Sequence, residues 1–465
     1  MPTFDHLAIS DLDRFVFGSA PRPLVLGDGL IIGGGDVYPE LNFTLPPMTI
    51  SAETMPDARA QYKEMIGDAV SRAVTLHAPG LVVEFELLPE LTSTPEWGAE
   101  ITAILRQALD TTAREHGLRS ALRVTPNDVR EFTRPPVMRH GPRWDEMMRS
   151  FDLCAAAGAD LLSIESTGGK EVHDEAILGG DLMLSAFALG VLGSRDMTYL
   201  WDHIIEIARR HDVIASGDSA CGFANTAMVL AEQRYVPRVW AAVIRVMSVP
   251  RSLVAFERGA VGPGKDCAYE GVYLKAITGY PMSLEGAEAA CAHPSPIGNV
   301  ARAVADLWSN ESVQNVKLLG GMAPTVSLEQ LVYATRTMNE ATARGPEAVR
   351  LLRDLWSDSD RRHDPQAYVL RPDVALDLAG RIVEEDTPYR RMRRAAREAL
   401  AALRRGYQEG AFALSAGEVH WLDRLSRQAE ALPDDEDAFI DRVAGQLDPA
   451  RVRLGEYGIG VAATR

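Results

Sequence analysis

Two cysteines and one glutamate occupy loops rich in glycine and small polar residues, each after a predicted apolar strand. Cys221 lies in residues 216–225 (SGDSACGFAN), Cys267 lies in residues 262–271 (GPGKDCAYEG), and Glu165 ends an apolar run. Two thiolates and a carboxylate can supply three ligands of a catalytic zinc site whose fourth position stays open. The chain has no C-x-x-C or H-E-x-x-H motif, so spacing alone leaves both metal ligation and ordinary loop cysteines open.

Other reactive side chains lack that setting. Cys154 lies in an alanine-rich helical pattern and Cys291 lies near a predicted helix end, so both are interpreted as small buried apolar side chains. His173 could reach the mouth of a site at Glu165, but a position at a helix start without a catalytic role is favoured. Four lysines would also allow a Schiff-base mechanism, although no pattern selects one of them: Lys170, Lys265, Lys275 and Lys317.

Length and composition predict a cytoplasmic enzyme. The 465 residues, 46% of them hydrophobic, can bury a large core. Lys and Arg number 48 against 65 Asp and Glu, and this net charge of −17 argues against nucleic-acid or membrane-surface binding. No apolar run approaches the ~20 residues of a membrane span. The amino-terminal residues MPTFDH lack the features of a signal peptide, and four cysteines are too few for a disulfide framework.

Alternating strand and helix patterns predict the elements that position the loops. The predicted strands cover residues 81–88, 120–125, 160–165, 212–216, 253–256 and 315–319. Such alternation favours a parallel sheet with helical crossovers. The fold class is therefore α/β, as a TIM-type (β/α)8 barrel with one or two irregular members, and an open doubly wound sheet is the alternative. In a barrel the three loops would share the carboxyl-end face, where barrel active sites lie.

The chain divides into three parts by pattern. Residues 1–52 form an irregular amino-terminal segment with a predicted hairpin, in which Gly33, Gly34 and Gly35 are turn residues rather than a phosphate-binding loop. Residues 53–326 carry the barrel pattern. Residues 327–465 are predicted to be a helical carboxyl-terminal extension packed on the barrel.

An arginine-rich stretch in that extension, residues 389–407, could dock an acidic partner. Its arginines are interleaved with an apolar stripe formed by Met392, Ala396, Leu400 and Leu403. Such interleaving is more typical of an amphipathic helix with one solvated face, which is the favoured interpretation.

The loops that carry the two cysteines and the glutamate resemble those of a known family. Residues 163–171 (SIESTGGKE), 217–225 (GDSACGFAN) and 262–271 (GPGKDCAYEG) are similar in order and spacing to the zinc-containing, methanol-activating subunit of methanol:corrinoid methyltransferases. The resemblance covers nearly the whole chain. It implies a barrel, a homodimer, zinc ligands at Glu165, Cys221 and Cys267, and a partner subunit that carries a corrinoid of the cobalamin type.

The implied reaction needs more than the three ligands. Hydroxide is a poor leaving group, and a zinc ion would act as a Lewis acid on the methanol oxygen during attack by cobalt(I). Two thiolates and a carboxylate outweigh the charge of zinc, which favours a neutral alcohol or requires a proton donor. Glu84, Glu86 and Asp218 are the candidate donors. Glu84 and Glu86 share one strand face, so pattern cannot separate a donor from a buried structural carboxylate.

Lys265 lies two residues before Cys267. It could orient the substrate or reduce the negative charge of the site, and a supporting or surface role is an equal alternative.

Two other functions stay open. The same corrinoid chemistry could take its methyl group from another small molecule, such as an aryl methyl ether or another methoxy compound, because only the pocket lining would differ. The chain could instead be a catalytically idle barrel that acts as a binding subunit, although the two loop thiols argue against this. A thiol-activating zinc methyltransferase is disfavoured because the chain contains no His-x-Cys pair.

Overall fold

The helices and strands below come from a computed structural model, which describes residues 3–27, 29–44, 48–265, 267–287, 295–313, 317–318 and 320–460. The strands are β1 (Ser19–Val25), β2 (Ile31–Gly34), β3 (Tyr38–Thr44), β4 (Leu81–Glu86), β5 (Ser120–Thr125), β6 (Leu161–Ile164), β7 (Ile214–Asp218), β8 (Ser283–Glu285), β9 (Leu307–Val313), β10 (Lys317–Leu318) and β11 (Gly321–Met322).

Helices follow most strands of the sheet and make up most of the described part of the carboxyl-terminal third. They are α1 (Met55–Thr75), α2 (Pro89–Ser93), α3 (Pro95–His116), α4 (Pro142–Ala156), α5 (Lys170–Gly179), α6 (Leu182–Phe187), α7 (Ser194–His211), α8 (Thr226–Glu232), α9 (Arg238–Arg258), α10 (Gly271–Thr278), α11 (Gly298–Arg302), α12 (Ala323–Arg344), α13 (Pro346–Asp360), α14 (Pro365–Leu370), α15 (Pro372–Val383), α16 (Pro388–Gln408), α17 (Ala416–Glu430) and α18 (Glu436–Ala444). Short 3-10 turns lie at Leu12–Arg14, Val129–Phe132 and Leu454–Tyr457, and π turns at Ala188–Gly193 and Cys221–Asn225.

Strands β3 to β9 form one parallel sheet in the order β7-β6-β5-β4-β3-β9-β8. Residues 261–264 close it. On one side the Val261 and Gly262 amides donate to the carbonyls of Ala215 (3.0 Å) and Ser216 (2.9 Å) on β7. On the other side Gly264 forms a parallel bridge with Met282, the residue before β8.

Eight segments therefore follow one another around a ring in chain order, which confirms the predicted barrel with one irregular member. An open doubly wound sheet is excluded, because its strand order reverses at a switch point.

Five regions differ from the sequence prediction. β3 lies within residues 1–52, where only a hairpin was predicted; the β1–β2 hairpin is present, but β3 pairs with both β4 and β9. Residues 253–256 belong to the buried helix α9, because a short apolar run cannot separate a strand from a core helix. β8 was not predicted, and β9 begins at Leu307, inside residues 299–308, for which the sequence pattern predicts a helix. Of residues 315–319, Lys317–Leu318 pairs with Gly321–Met322 outside the barrel sheet. The boundaries at residues 52 and 326 stay predictions.

A buried ion pair links several strands of the barrel. The guanidinium of Arg123 on β5 donates to Glu40 on β3 at 2.6 Å, and both side chains are fully buried. Its Nη1 also donates to Ser163 (2.8 Å), Ser216 (3.0 Å) and the carbonyl of Pro263 (2.9 Å). A buried charge needs such partners, and here they join β3, β5, β6, β7 and the closing segment.

Helix α9 has the length and apolar composition of a membrane span, in contrast to the sequence expectation, but its residues 239–256 are buried inside the protein. It packs against α16, the predicted arginine-rich helix. The apolar stripe of α16 is buried, as predicted, and its arginines pair within the chain, for example Arg394 with Glu384 at 2.6 Å. These contacts favour the interpretation as a solvated helix face.

Candidate metal centre

The three predicted ligands meet at the carboxyl-end face of the barrel. Glu165 directly follows β6, Cys221 begins the π turn after β7, and Cys267 follows the closing segment. One donor atom of each lies within 4.8 Å of the other two, and Cys267 Sγ lies 3.0 Å from Glu165 Oε1. A tetrahedral zinc ion with these ligand types separates its donor atoms by roughly 3.5 Å. The donor set therefore fits zinc after small adjustments.

Without a cation, it is unfavourable for Glu165, Cys221 and Cys267 all to be ionised so close together. A hydrogen bond with Cys267 lowers the pKa of the Cys221 thiol, but burial and nearby Glu165 together raise it to about 12. Burial, followed by Cys221, raises the pKa of the Cys267 thiol well above its usual value. A divalent cation reverses this balance, because thiols that coordinate a metal lose their protons.

Lys265 and Glu84 form a buried ion pair beside Glu165. Lys265 Nζ lies 2.6 Å from Glu84 Oε1 and 3.5 Å from Glu165 Oε1. The Glu84 carboxylate also accepts a hydrogen bond from Thr125 at 2.7 Å. Lys265 therefore brings a positive charge to the candidate ligands, and Glu84 holds that lysine in position.

Glu86 has a different environment from Glu84. It ends β4 and, together with Glu165, Thr125 and Gly222, lines a cavity of about 110 Å³. Asn42 on β3 donates to Glu86 Oε2 at 3.1 Å. The structure thus separates the two carboxylates that the sequence pattern could not: Glu84 is ion-paired beneath the site, whereas Glu86 faces the cavity.

Asp218 holds the backbone beside Glu165. Its carboxylate accepts hydrogen bonds from the Ser166 hydroxyl (2.6 Å), the Ser166 amide (3.2 Å) and the Trp201 indole (3.2 Å). Arg251 lies 3.7 Å away. These contacts hold Asp218 behind the loop, away from the cavity that Glu86 lines.

Helix α9 supports the loops of all three candidate ligands, which sequence reasoning missed. Arg251 donates to the carbonyl of Ser166, and Arg245 donates to the carbonyl of Ala268, both at 2.6 Å. Ser252 donates to Glu270 at 2.7 Å, and Glu270 in turn accepts from the amide of Ala220. Two arginines inside an otherwise apolar run were the available signal, because a buried cation needs an internal partner.

Among the remaining candidates, Lys170 lines the same cavity as Glu86 and Glu165. The other described candidates do not line it. His173 is buried within α5 against Phe223, and burial lowers its pKa to about 3. Cys154 is buried in α4, as expected. Lys170 pairs with Asp174, and buried Lys275 donates to Asp306 and two carbonyls. Cys291 and the side chain of Lys317 lie outside the described residues.

Comparison with known proteins places this site in a family. The family model described as methanol-cobalamin methyltransferase B subunit matches residues 1–455. The methanol–corrinoid protein co-methyltransferase of Methanosarcina barkeri (strain Fusaro / DSM 804) is 37% identical over 442 residues, which cover 94% of this chain and 95% of that protein.

A solved structure agrees with that relationship. The crystal structure of the methanol:cobalamin methyltransferase complex MtaBC from Methanosarcina barkeri aligns with a TM-score of 0.93 and 34% identity, covering 99% of this chain and 100% of that chain. The likeness therefore extends over both the barrel and the carboxyl-terminal helices. The chain belongs to the family of methanol-cobalamin methyltransferase B subunits.

Proposed function

We propose that this protein transfers the methyl group of methanol to the cobalt(I) of a corrinoid carried by a partner protein. The observation that carries the proposal is the meeting of Glu165, Cys221 and Cys267 within 4.8 Å at the carboxyl-end face of the barrel, in a chain of this family. These three residues would hold zinc, which when bound supplies a Lewis acid for the alcohol oxygen. Zinc is the favoured metal because it binds both thiolates and carboxylates, and its catalytic sites have three protein ligands.

Lys265 and Glu84 adjust the charge of this site. The two thiolates and Glu165 would carry three negative charges, and Lys265 lies 3.5 Å from Glu165. The ammonium group offsets part of that charge without entering the coordination set, because a protonated amine has no lone pair to offer a metal. Glu84 acts as a positioning residue for Lys265, and Asp218 is a positioning residue for the loop after Glu165.

Glu86 is the residue that we assign to proton transfer. As the C–O bond breaks, its electron pair stays on oxygen, and the electron pair of cobalt(I) forms the new bond to carbon. A proton from the Glu86 carboxyl would then neutralise the leaving oxygen and release water. The shared cavity of Glu86 and Glu165 supports this role, whereas Glu84 is held by Lys265 and Asp218 by Ser166.

The size of the cavity supports methanol over a bulkier donor. Its volume of about 110 Å³ suits a molecule of a few atoms. Sites for drug-sized ligands are about 300–1,000 Å³, and an aryl methyl ether approaches that class. Polar walls formed by Thr125, Asn127 and Glu86 also favour a small alcohol.

The test is the absorbance of cobalt(I) in the partner corrinoid protein after mixing with the zinc-loaded chain. Methanol should cause loss of the cobalt(I) band, and Cys267→Ala should abolish that loss. Cys154→Ala, which removes a buried thiol far from the loops, should leave it unchanged. Loss only with a methoxy compound would replace the methyl donor. No loss with either donor, although zinc is bound, would favour the idle barrel.

The corrinoid partner is supported by the methyltransferase complex named for the structural relative. The homodimer and the cytoplasmic location stay predictions, which rest on the resemblance and on composition.

A further inference from the structure

The two loops that carry the cysteines are joined by reciprocal hydrogen bonds. Ser219, two residues before Cys221, accepts a hydrogen bond from the amide of Ala268 at 3.1 Å. Glu270, three residues after Cys267, accepts one from the amide of Ala220 at 2.7 Å. Each loop thus offers a side chain to the backbone of the other, and each amide belongs to the residue next to a cysteine.

Both side chains of this brace are buried. Ser219 is fully buried and Glu270 is 1% exposed. Ser252 on α9 donates to the same Glu270 oxygen at 2.7 Å, so a second hydrogen bond holds the carboxylate in place. Hydrogen bonds in such a low-dielectric environment are stronger than in water, and a buried amide left without an acceptor costs about 1–3 kcal/mol.

The backbone of the Cys267 loop needs this support. Tyr269 has a φ of 62°, in the left-handed region that an aromatic residue rarely adopts. Arg245 lies over the Tyr269 ring at 5.0 Å and donates to the carbonyl of Ala268 at 2.6 Å. A strained backbone persists only where its surroundings over-determine it. Loss of one support should therefore let this loop, and Cys267 with it, relax.

We propose that Glu270 is a positioning residue that, with Ser219, sets the distance between the Cys221 and Cys267 sulfur atoms. The inference rests on the proposed metal site. Glu270 would act on the metal through the Ala220 amide and the loop, since its carboxylate accepts hydrogen bonds from Ala220 and Ser252. Groups that orient metal ligands in this way typically change metal affinity by 10–100-fold when removed.

The experiment compares cobalt(II) binding by the wild-type chain, Glu270→Ala and Glu270→Gln. Cobalt(II) replaces zinc and reports thiolate coordination through its charge-transfer absorption, while competition with a chelator gives the affinity. Glu270→Ala should bind cobalt at least tenfold more weakly, with a smaller thiolate band. Glu270→Gln should retain both properties, because its amide oxygen can accept the same two hydrogen bonds. Cys154→Ala serves as a control for general destabilisation and should keep wild-type binding.

The outcomes separate this inference from the metal site itself. Wild-type affinity and spectrum in Glu270→Ala would overturn the inference alone. A wild-type chain that binds cobalt without a thiolate band would overturn the metal site and this inference with it. Where Glu270→Ala does not fold, Ser219→Ala removes the other half of the brace. It should weaken cobalt binding about tenfold, and unchanged binding would again contradict the proposal.

Discussion

At the residue scale, Lys265 is the cation closest to the candidate ligands among the described contacts. It is 1% exposed and joins Glu84, on β4, to Glu165, after β6. A buried lysine retains its charge only beside a carboxylate, and a buried carboxylate likewise depends on the lysine. The pair therefore affects both the stability of the barrel and the charge of the site.

Lys265→Met should lower the free energy of unfolding by about 3–5 kcal/mol, because it removes the ammonium group 2.6 Å from buried Glu84. The double variant Lys265→Met with Glu84→Gln should recover much of that loss, since a neutral amide needs no cation. Urea unfolding of both single variants and the double variant measures the coupling. The exposed Lys63→Met is the matched control. Additive effects of the two substitutions would contradict a direct interaction.

Glu171 should make stability depend on pH. Burial raises the pKa of this carboxyl from 4.5 to about 7, against the opposing effect of a hydrogen bond with Tyr457. Between about pH 4.5 and 7 the folded chain keeps this proton while the unfolded chain loses it. The free energy of unfolding therefore falls as pH rises through that range and levels off above it.

In the wild-type chain, Glu171 should lower the free energy of unfolding by about 1–3 kcal/mol between pH 5 and pH 7.5, after allowance for its partial exposure. The Glu171→Gln variant should lack this decrease. Urea midpoints of wild type and variant at the two pH values provide the measurement. The exposed Glu64→Gln should follow wild type. A wild-type pH response in Glu171→Gln would show that other groups cause it.

The candidate ligands could be predicted from sequence because each is local to a recognisable loop. The different roles of Glu84 and Glu86 could not be predicted from sequence. They depend on Lys265, which is distant in the chain and forms its ion pair with Glu84. Glu270 was missed for the same reason, because its acceptor role depends on an amide after β7.

At the element scale, α9 and β3 show where pattern alone is insufficient. Residues 253–256 are apolar, but their place in a continuous buried helix is fixed by packing against α7 and α16. β3 carries polar Glu40 and Asn42 toward Arg123 and Glu86, so it lacks the apolar character of a barrel strand. The strands β4 to β7 were recognised because each is bounded by helices with clear periodicity.

Helix α16 allows the stability contributions of exposed and buried arginine ion pairs to be compared on one helix. Arg390 and Arg405 are about half exposed and pair with Asp386 and Asp377. Their replacement by glutamine should change the free energy of unfolding by less than about 0.5 kcal/mol. Arg391 is 5% exposed and pairs with Glu257. Its replacement by methionine should lower the free energy of unfolding by about 2–4 kcal/mol.

Urea unfolding measures these differences, and the KM for the corrinoid protein tests docking. Wild-type KM in the Arg390→Gln and Arg405→Gln variants is expected, because both arginines pair within the chain. A severalfold rise in that KM would instead identify α16 as a docking surface.

At the scale of the whole molecule, the candidate metal joins three segments that are far apart in sequence. A ligand that binds only the folded state stabilises it by about 4 kcal/mol at a concentration 1,000 times its Kd. Zinc should therefore raise the thermal midpoint in a concentration-dependent way, and a chelator should reverse the effect. Cys221→Ser should lose this response, whereas Cys154→Ala should retain it. A zinc-independent midpoint in the wild-type chain would contradict the proposed site.

The closing segment, residues 261–264, has a consequence for how the protein is made. The ribosome releases Glu165 and Cys221 well before Cys267, and the sheet cannot close until β8 and β9 have followed. Nascent domains generally fold as units once their chain is complete. A half-synthesised chain therefore contains at most two of the three proposed donors, and no closed barrel that could bring them together. The proposed metal should therefore bind late in biosynthesis. A chain truncated before β8 should leave the ribosome without the ability to retain zinc.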